Sequence, residues 1–310
     1  YCPDLRVYVV RNPGFNASMA PNGTLQVWTG LLLRAATEDE LASVLAHELA
    51  HYVMAHTLAQ FRRIRTSTGI GSLFSLGIGV ATGVMLPIGE LAALGDAMAF
   101  SRSQETEADL LGADLLTAAG YEPHAAYRIW QNLVAEDDAA VVKREEGSAF
   151  LRTHPGAAQR IENLKKWVRT KHAATSREPA ADRHWAVLSD YYLTYMEDQI
   201  DTNRYGRTQY LLKQHARFGV DPGLIEFIRG EAYRQSAGQG DRDRAAVAYR
   251  KSIESRHAPA EAYRNLGYIA WKKGDRAEAR RLFRQYLERQ PEASDRAMVE
   301  FYLKEKQNEP

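Results

Sequence analysis

Hydrophobic and polar positions along the chain follow three different rhythms. Near the start, Leu5–Arg11 (LRVYVVR) is rich in β-branched and aromatic residues, and Asn16–Trp28 carries the turn triplet Pro21-Asn22-Gly23 between Met19 and Leu25. This predicts a strand followed by a hairpin. An exposed strand beside a cleft would let an extended peptide add itself by main-chain hydrogen bonds. The second rhythm is helical. From Leu41 to Arg63 there is no Gly or Pro and much Ala and Leu, so a helix of several turns is expected. Thr37 and Glu40 read as its capping box, with Glu38, Asp39 and Glu40 at the positive end of its dipole. Ser43, Val44, His47, His51, Met54 and Leu58 share one face and Leu45, Leu49, Tyr52 and Val53 the other, which predicts burial on both sides. A further helix opens at Ser101 or Ser103 and aligns Glu105, Ala108, Asp109, Gly112, Leu116 and Ala119 on one face. The small Ala108 and Gly112 would let another helix approach that face closely.

The third rhythm is a repeat. Gly240-Asp241, Ala245 and Tyr249 recur as Gly274-Asp275, Ala279 and Phe283, at a spacing of 34 residues. Leu266-Gly267, Ala279, Phe283 and Pro291 sit at tetratricopeptide-repeat positions. The pattern is good over 260–293 and weaker over 223–259, which carries a three-residue insertion; Tyr286 stands where a small residue is expected. Two repeats rarely suffice, so the helices between His184 and Phe218 are assigned to the same stack and 294–306 to its capping helix. The polar, proline-containing segment Ala174–Asp182 reads as a linker between the two parts.

Chemistry enters with His47-Glu48-Leu49-Ala50-His51. Histidines four apart lie about 40° from each other around a helix, so both rings reach one point. Neutral imidazole suits Zn²⁺, and a glutamate beside the first ligand can take a proton from a water activated there. Such a site needs a third ligand. Glu105 and Glu107 both stand on the second helix, about 200° apart. Periodicity leans towards Glu105, whose face carries the small residues, without choosing between them. His56, five past His51, reads as a packed core histidine facing away from the metal side.

His47-Glu-x-x-His51 followed by Ser101-Arg-x-x-Glu105-x-x-Ala108-Asp109 resembles the HtpX/BepA-type family of zinc metallopeptidases, relatives of the CAAX prenyl protease. Asn16-Ala17, Pro21-Asn22-Gly23, Thr29-Gly30-Leu31-Leu32 and Arg152-Thr153-His154-Pro155 extend the resemblance over most of the first 165 residues. It implies that Glu105 is the third zinc ligand and that Asp109, one turn on, orients a ligand histidine. It also implies that His154 reaches the zinc and holds a resting state. By chemistry alone, His154 could serve as an oxyanion donor, but a turn residue before Pro155 is the favoured reading. The implied fold is α+β: a mostly helical, gluzincin-like domain with a small β-sheet (1–175), followed by an all-α repeat domain (181–310). The implied activity is zinc-dependent endopeptidase, with one Zn²⁺ per chain and Glu48 as the base. Protein substrates would be recruited by the repeats in envelope protein quality control. Periplasmic location and outer-membrane assembly proteins as partners follow from the resemblance alone. The rival reading is a chaperone or assembly scaffold with a latent or inactive metal site.

Composition changes little. With 40 basic and 39 acidic residues the net charge is +1, which implies no nucleic-acid partner. The single cysteine, Cys2, excludes an internal disulfide. The chain begins at Tyr1 without a methionine, which reads as a segment whose signal peptide lies outside it. Thr66–Gly89 is uncharged and long enough to span a bilayer. A single crossing would part His51 from Glu105, however, so the segment reads as an apolar flap beside the cleft, placed to touch a membrane peripherally or an unfolded substrate.

Overall fold

The computed structural model describes residues 4–67, 99–140, 149–172 and 182–304. The expected flap beyond Ser67, the linker before Asp182 and Cys2 lie outside the described residues. The described chain is mostly helical, with one three-stranded sheet near the start and a helical repeat region at the end.

Strands β1 (Arg6–Val10), β2 (Ala17–Met19) and β3 (Thr24–Trp28) lie in the order β1-β3-β2. β2 and β3 form the antiparallel hairpin, closed by Gly23 at φ 80°, and β1 runs parallel to β3 with Val7 beside Leu25 and Val9 beside Val27. The period-two pattern is clear in the hairpin. Ala17, Met19, Leu25 and Val27 are buried while Ser18 is exposed. β1 is an edge strand with Val7, Tyr8 and Val9 exposed.

Helices α1 (Thr29–Arg34) and α2 (Glu38–Val53) follow the sheet. Thr37 caps α2 by accepting from the Glu40 N–H, but the Glu40 carboxylate accepts from the Ala36 N–H, one residue outside the expected box. The long helix expected over 41–63 is broken. α2 stops at Val53, Ala55 takes the left-handed conformation at φ 58°, and α3 (His56–Ser67) starts afresh. A non-glycine residue there costs about 1–2 kcal/mol, a price that no propensity scale anticipates. Burial on both faces is not found either: the His47 face is buried from Ser43 to His51 but Met54 is exposed and Leu58 half-buried, while on the other face Leu45, Leu49 and Tyr52 are half-buried and Val53 is exposed.

Next come α4 (Arg102–Ala118), α5 (Ala125–Asp138), α6 (Ala149–Thr153) and α7 (Ala157–Lys171). Ser101 caps α4 in a full capping box with Gln104. α4 lies against α2, and Ile129, Trp130, Leu133, Phe150 and Leu164 join the sheet's buried face in one core. α8 (Asp182–Leu188) packs back on this part: His184 Nε2 lies 2.9 Å from the Leu32 carbonyl and Trp185 donates to that of Ala36.

The chain divides into two compact units, 1–198 and 199–310. The helices from His184 onward, assigned to the stack because two repeats rarely suffice, are divided: residues up to 198 group with the first unit, where His184 and Trp185 make contacts. α9 (Tyr192–Asp201) runs across the division. The second unit continues with α10 (Tyr205–His215), α11 (Pro222–Ser236), α12 (Asp241–Ser252), α13 (Ala260–Lys272), α14 (Arg276–Arg289) and α15 (Arg296–Lys304). Its repeat shows in packing. A Cβ on Gly230 would meet the Tyr249 ring at 2.5 Å, and one on Gly267 the Phe283 ring at 2.6 Å. The same small-to-aromatic contact therefore closes both helical hairpins. Tyr286 is buried under Arg264 and donates to Asp295 at 2.6 Å, which accounts for a large residue at a small position.

Candidate metal centre

The continuous α2 places His47 and His51 on its buried face, and Gly112 on α4 lets the two helices touch. A Cβ there would lie 3.0 Å from both N and Cα of His47. Glu105, at the start of α4, is thereby carried to the histidine pair. The turn between α6 and α7 adds His154, fixed by its N–H to the Phe150 carbonyl and by the Phe100 N–H to the Thr153 carbonyl.

Four donors converge. His47 Nε2 lies 3.1 Å from His51 Nε2 and 3.3 Å from His154 Nδ1. Glu105 Oε1 lies 3.0 Å from His154 Nδ1 and 3.5 Å from His51 Nε2. All four residues are buried, and their donor atoms fall within 4.8 Å of one another. Metal–nitrogen bonds of about 2.0–2.1 Å place tetrahedral ligands about 3.3–3.4 Å apart, and the four distances above, 3.0 to 3.5 Å, lie on either side of that value.

Protonation supports the fit. His47 turns Nδ1 to Asp109 Oδ1 at 3.0 Å, so that nitrogen carries its proton and Nε2 presents a lone pair to the cluster. Burial pushes His51 down to about 3 and His154 to about 4, so both are neutral near pH 7. Burial would raise Glu105, but hydrogen bonds from His154 and His51, with the Arg160 charge, hold it well below the usual carboxylate range. Arg160 is buried on α7, reaching Asp109 at 2.7 Å and Glu105 at 2.9 Å over the face of Trp130. Glu105 and Asp109, both held below the ordinary carboxylate range, outnumber the single charge of Arg160 and leave a net negative charge in a buried site, which a cation would offset. The residues fit such a cation.

Glu48 is buried beside the donors with Oε1 lacking a hydrogen-bond partner. Burial first, then the nearby Glu105, pushes its carboxyl well above the ordinary value, although Arg160 and the Met19 backbone of β2 oppose this. Its Oε1 lies 3.7 Å from His154 Nε2.

The two α4 glutamates part company. Glu105 is fully buried in the cluster, whereas Glu107 has a half-exposed side chain, 3.3 Å from His56. His56 is buried, but it does not face away: its Nδ1 lies 3.1 Å from His51 Nδ1. The left-handed Ala55 brings it there, which a helical wheel drawn through residue 55 cannot show. Sequence reasoning also missed Arg160 and the aromatic lining. Phe100 stacks on His51 at 3.9 Å, Phe150 stacks on His154 at 4.0 Å, and Trp130 stacks on Phe150. An arginine in an amphipathic helix reads as solvated, and nothing local marks Arg160 otherwise.

A buried HExxH helix crossed by a carboxylate-bearing helix defines a metallopeptidase. Residues 2–168 match peptidase family M48, and the chain belongs to that family. Residues 260–293 match the tetratricopeptide repeat. The chain is similar to the mitochondrial metalloendopeptidase OMA1 of Schizosaccharomyces pombe, 33% identical over 190 residues, covering 60% of this chain and 53% of that protein. It is also similar to the putative beta-barrel assembly-enhancing protease of Vibrio cholerae, 28% identical over 187 residues, covering 58% and 37%. The beta-barrel assembly-enhancing protease of Yersinia pestis is 31% identical over 169 residues, covering 51% and 33%. The chain thus spans about half or less of the length of these relatives. Among the described residues, no helix is long and apolar enough to cross a membrane.

Proposed function

We propose that the first unit is a zinc-dependent endopeptidase in which His47, His51 and Glu105 hold one Zn²⁺. The convergence of their donor atoms at tetrahedral spacing carries this reading. Bound there, Zn²⁺ supplies Lewis-acid polarisation of a scissile carbonyl and acidifies a water molecule. Glu48, with one carboxylate oxygen free, takes the proton of the attacking water and passes it to the departing amine. Asp109 keeps His47 in the tautomer that presents Nε2. The edge strand β2 offers its backbone to an extended peptide.

His154 favours a resting form of the same enzyme over a permanently inactive scaffold. As a fourth donor it completes a closed tetrahedral set, while Glu48 remains in place. The repeat unit recruits protein substrates. The names of the beta-barrel assembly-enhancing relatives support envelope quality control, a periplasmic setting and outer-membrane assembly proteins as partners. Zinc content together with casein cleavage by wild type and Glu48→Gln tests the reading. Stoichiometric zinc with cleavage lost only in the variant is expected. Cleavage without zinc would overturn it.

A further inference from the structure

The two histidines of α2 are supported from behind in different ways. His47 meets the buried Asp109 directly. His51 meets another imidazole, with His56 Nδ1 3.1 Å from its Nδ1, and His56 Nε2 lies 3.3 Å from Glu107 Oε2. His56 is buried, while the Glu107 side chain is 52% exposed, so this row runs from the donor cluster to the surface. Phe100 closes on the His51 ring and borders His56.

Proton positions in the row determine one another. His51 turns Nε2 to the cluster, and zinc bound there would leave the His51 proton on Nδ1. His56 Nδ1 must then accept, which leaves the His56 proton on Nε2, where Glu107 accepts it. We propose that His56 and Glu107 are positioning residues that fix the tautomer and ring plane of His51, as Asp109 does for His47. This rests on the metal reading above. It also gives the left-handed turn at Ala55 a purpose, because that turn delivers His56 to His51.

Zinc affinity of the intact chain, read by competition with a chromogenic chelator, tests the proposal, with circular dichroism as the check on folding. His56→Phe keeps a ring without an acceptor and is expected to weaken zinc binding about tenfold to a hundredfold. His56→Asn, whose Oδ1 can take the place of Nδ1, should recover most of that loss. Glu107→Leu should weaken binding in the same direction and add nothing once residue 56 is Phe, since it acts through the imidazole. Long-range ¹H–¹⁵N spectra of the zinc-loaded wild type should show His51 protonated on Nδ1 and His56 on Nε2. Wild-type affinity in folded His56→Phe, additive losses in the double variant, or a His56 protonated on Nδ1 would overturn the proposal. If His56→Phe does not fold, Glu107→Leu and the wild-type spectra decide. A wild type that takes up no more zinc than His47→Ala would instead overturn the metal reading itself.

Discussion

Gly112 presses against His47 so closely that a Cβ would lie 3.0 Å from the histidine's own backbone nitrogen and Cα. The contact is backbone against side-chain position, with no flexible group to yield. Gly112→Ala should therefore force α4 away from α2 and carry Glu105 with it. A stability loss of about 1–3 kcal/mol is expected, as for other overpacked sites, together with weaker zinc binding. Thermal melting and chelator competition measure the two effects. A wild-type melt would mean that the helices separate at no cost.

Proton transfer can be separated from binding at Glu48. Glu48→Gln preserves shape and removes the base, so zinc content and melting temperature should stay near wild type. Cleavage of a flexible protein should fall about a hundredfold to ten-thousandfold, the range for a lost general base. Residual turnover near wild type would remove Glu48 from the mechanism.

The two glutamates of α4 make opposite predictions. Glu105 sits among the donors and Glu107 on the rim. Glu105→Ala should abolish stoichiometric zinc at micromolar concentrations, whereas Glu107→Ala should still fill at saturating zinc. Metal analysis giving the reverse order would transfer the ligand assignment to Glu107.

Much of this site was legible because its parts lie within single elements. His47, Glu48 and His51 need only the helix period, and Glu105 stands with Gly112 on the small face of a second helix, although the choice of Glu105 over Glu107 from sequence rests on the family resemblance. What could not be read depends on how elements meet. Arg160 is buried because Asp109 and Glu105, on another helix, compensate its charge. His56 reaches His51 because one alanine leaves helical conformation. The repeats were legible from Tyr249 and Phe283, but Gly230, which packs on Tyr249, is hidden by the longer connection between α11 and α12. Residues 182–198 carry no repeat signature, and the contacts of Arg183, His184, Trp185 and Asp198 show where they pack.

Arg160 supplies a test of that hidden part. Its guanidinium spans Asp109 and Glu105 in a buried site, and removing one partner of such a pair costs about 3–5 kcal/mol. Arg160→Leu should melt far below wild type, with added zinc restoring part of the loss by neutralising the two carboxylates. Arg160→Lys keeps the charge without the planar fork and should recover only part of the stability. A melting temperature unchanged in Arg160→Leu would show that the pair contributes no net stability.

The last prediction concerns His154. Its Nδ1 stands 3.0 Å from Glu105 Oε1 and 3.3 Å from His47 Nε2, and Phe150 stacks on its ring. In that position it occupies the fourth corner of the donor set, where a substrate or water would otherwise enter. If it restrains the enzyme as a fourth donor, His154→Ala opens that corner, and basal cleavage of a flexible protein should rise while zinc remains bound through the other three residues. If it instead stabilises developing negative charge on the scissile carbonyl, the same change should lower turnover about a hundredfold to a thousandfold. A residue serving only the turn before Pro155 would alter neither rate nor zinc content. The burial of His154 and the direction of Nδ1 into the cluster favour the rise. Turnover by wild type and His154→Ala at equal zinc occupancy separates the three, and an unchanged rate would remove His154 from the control of this site.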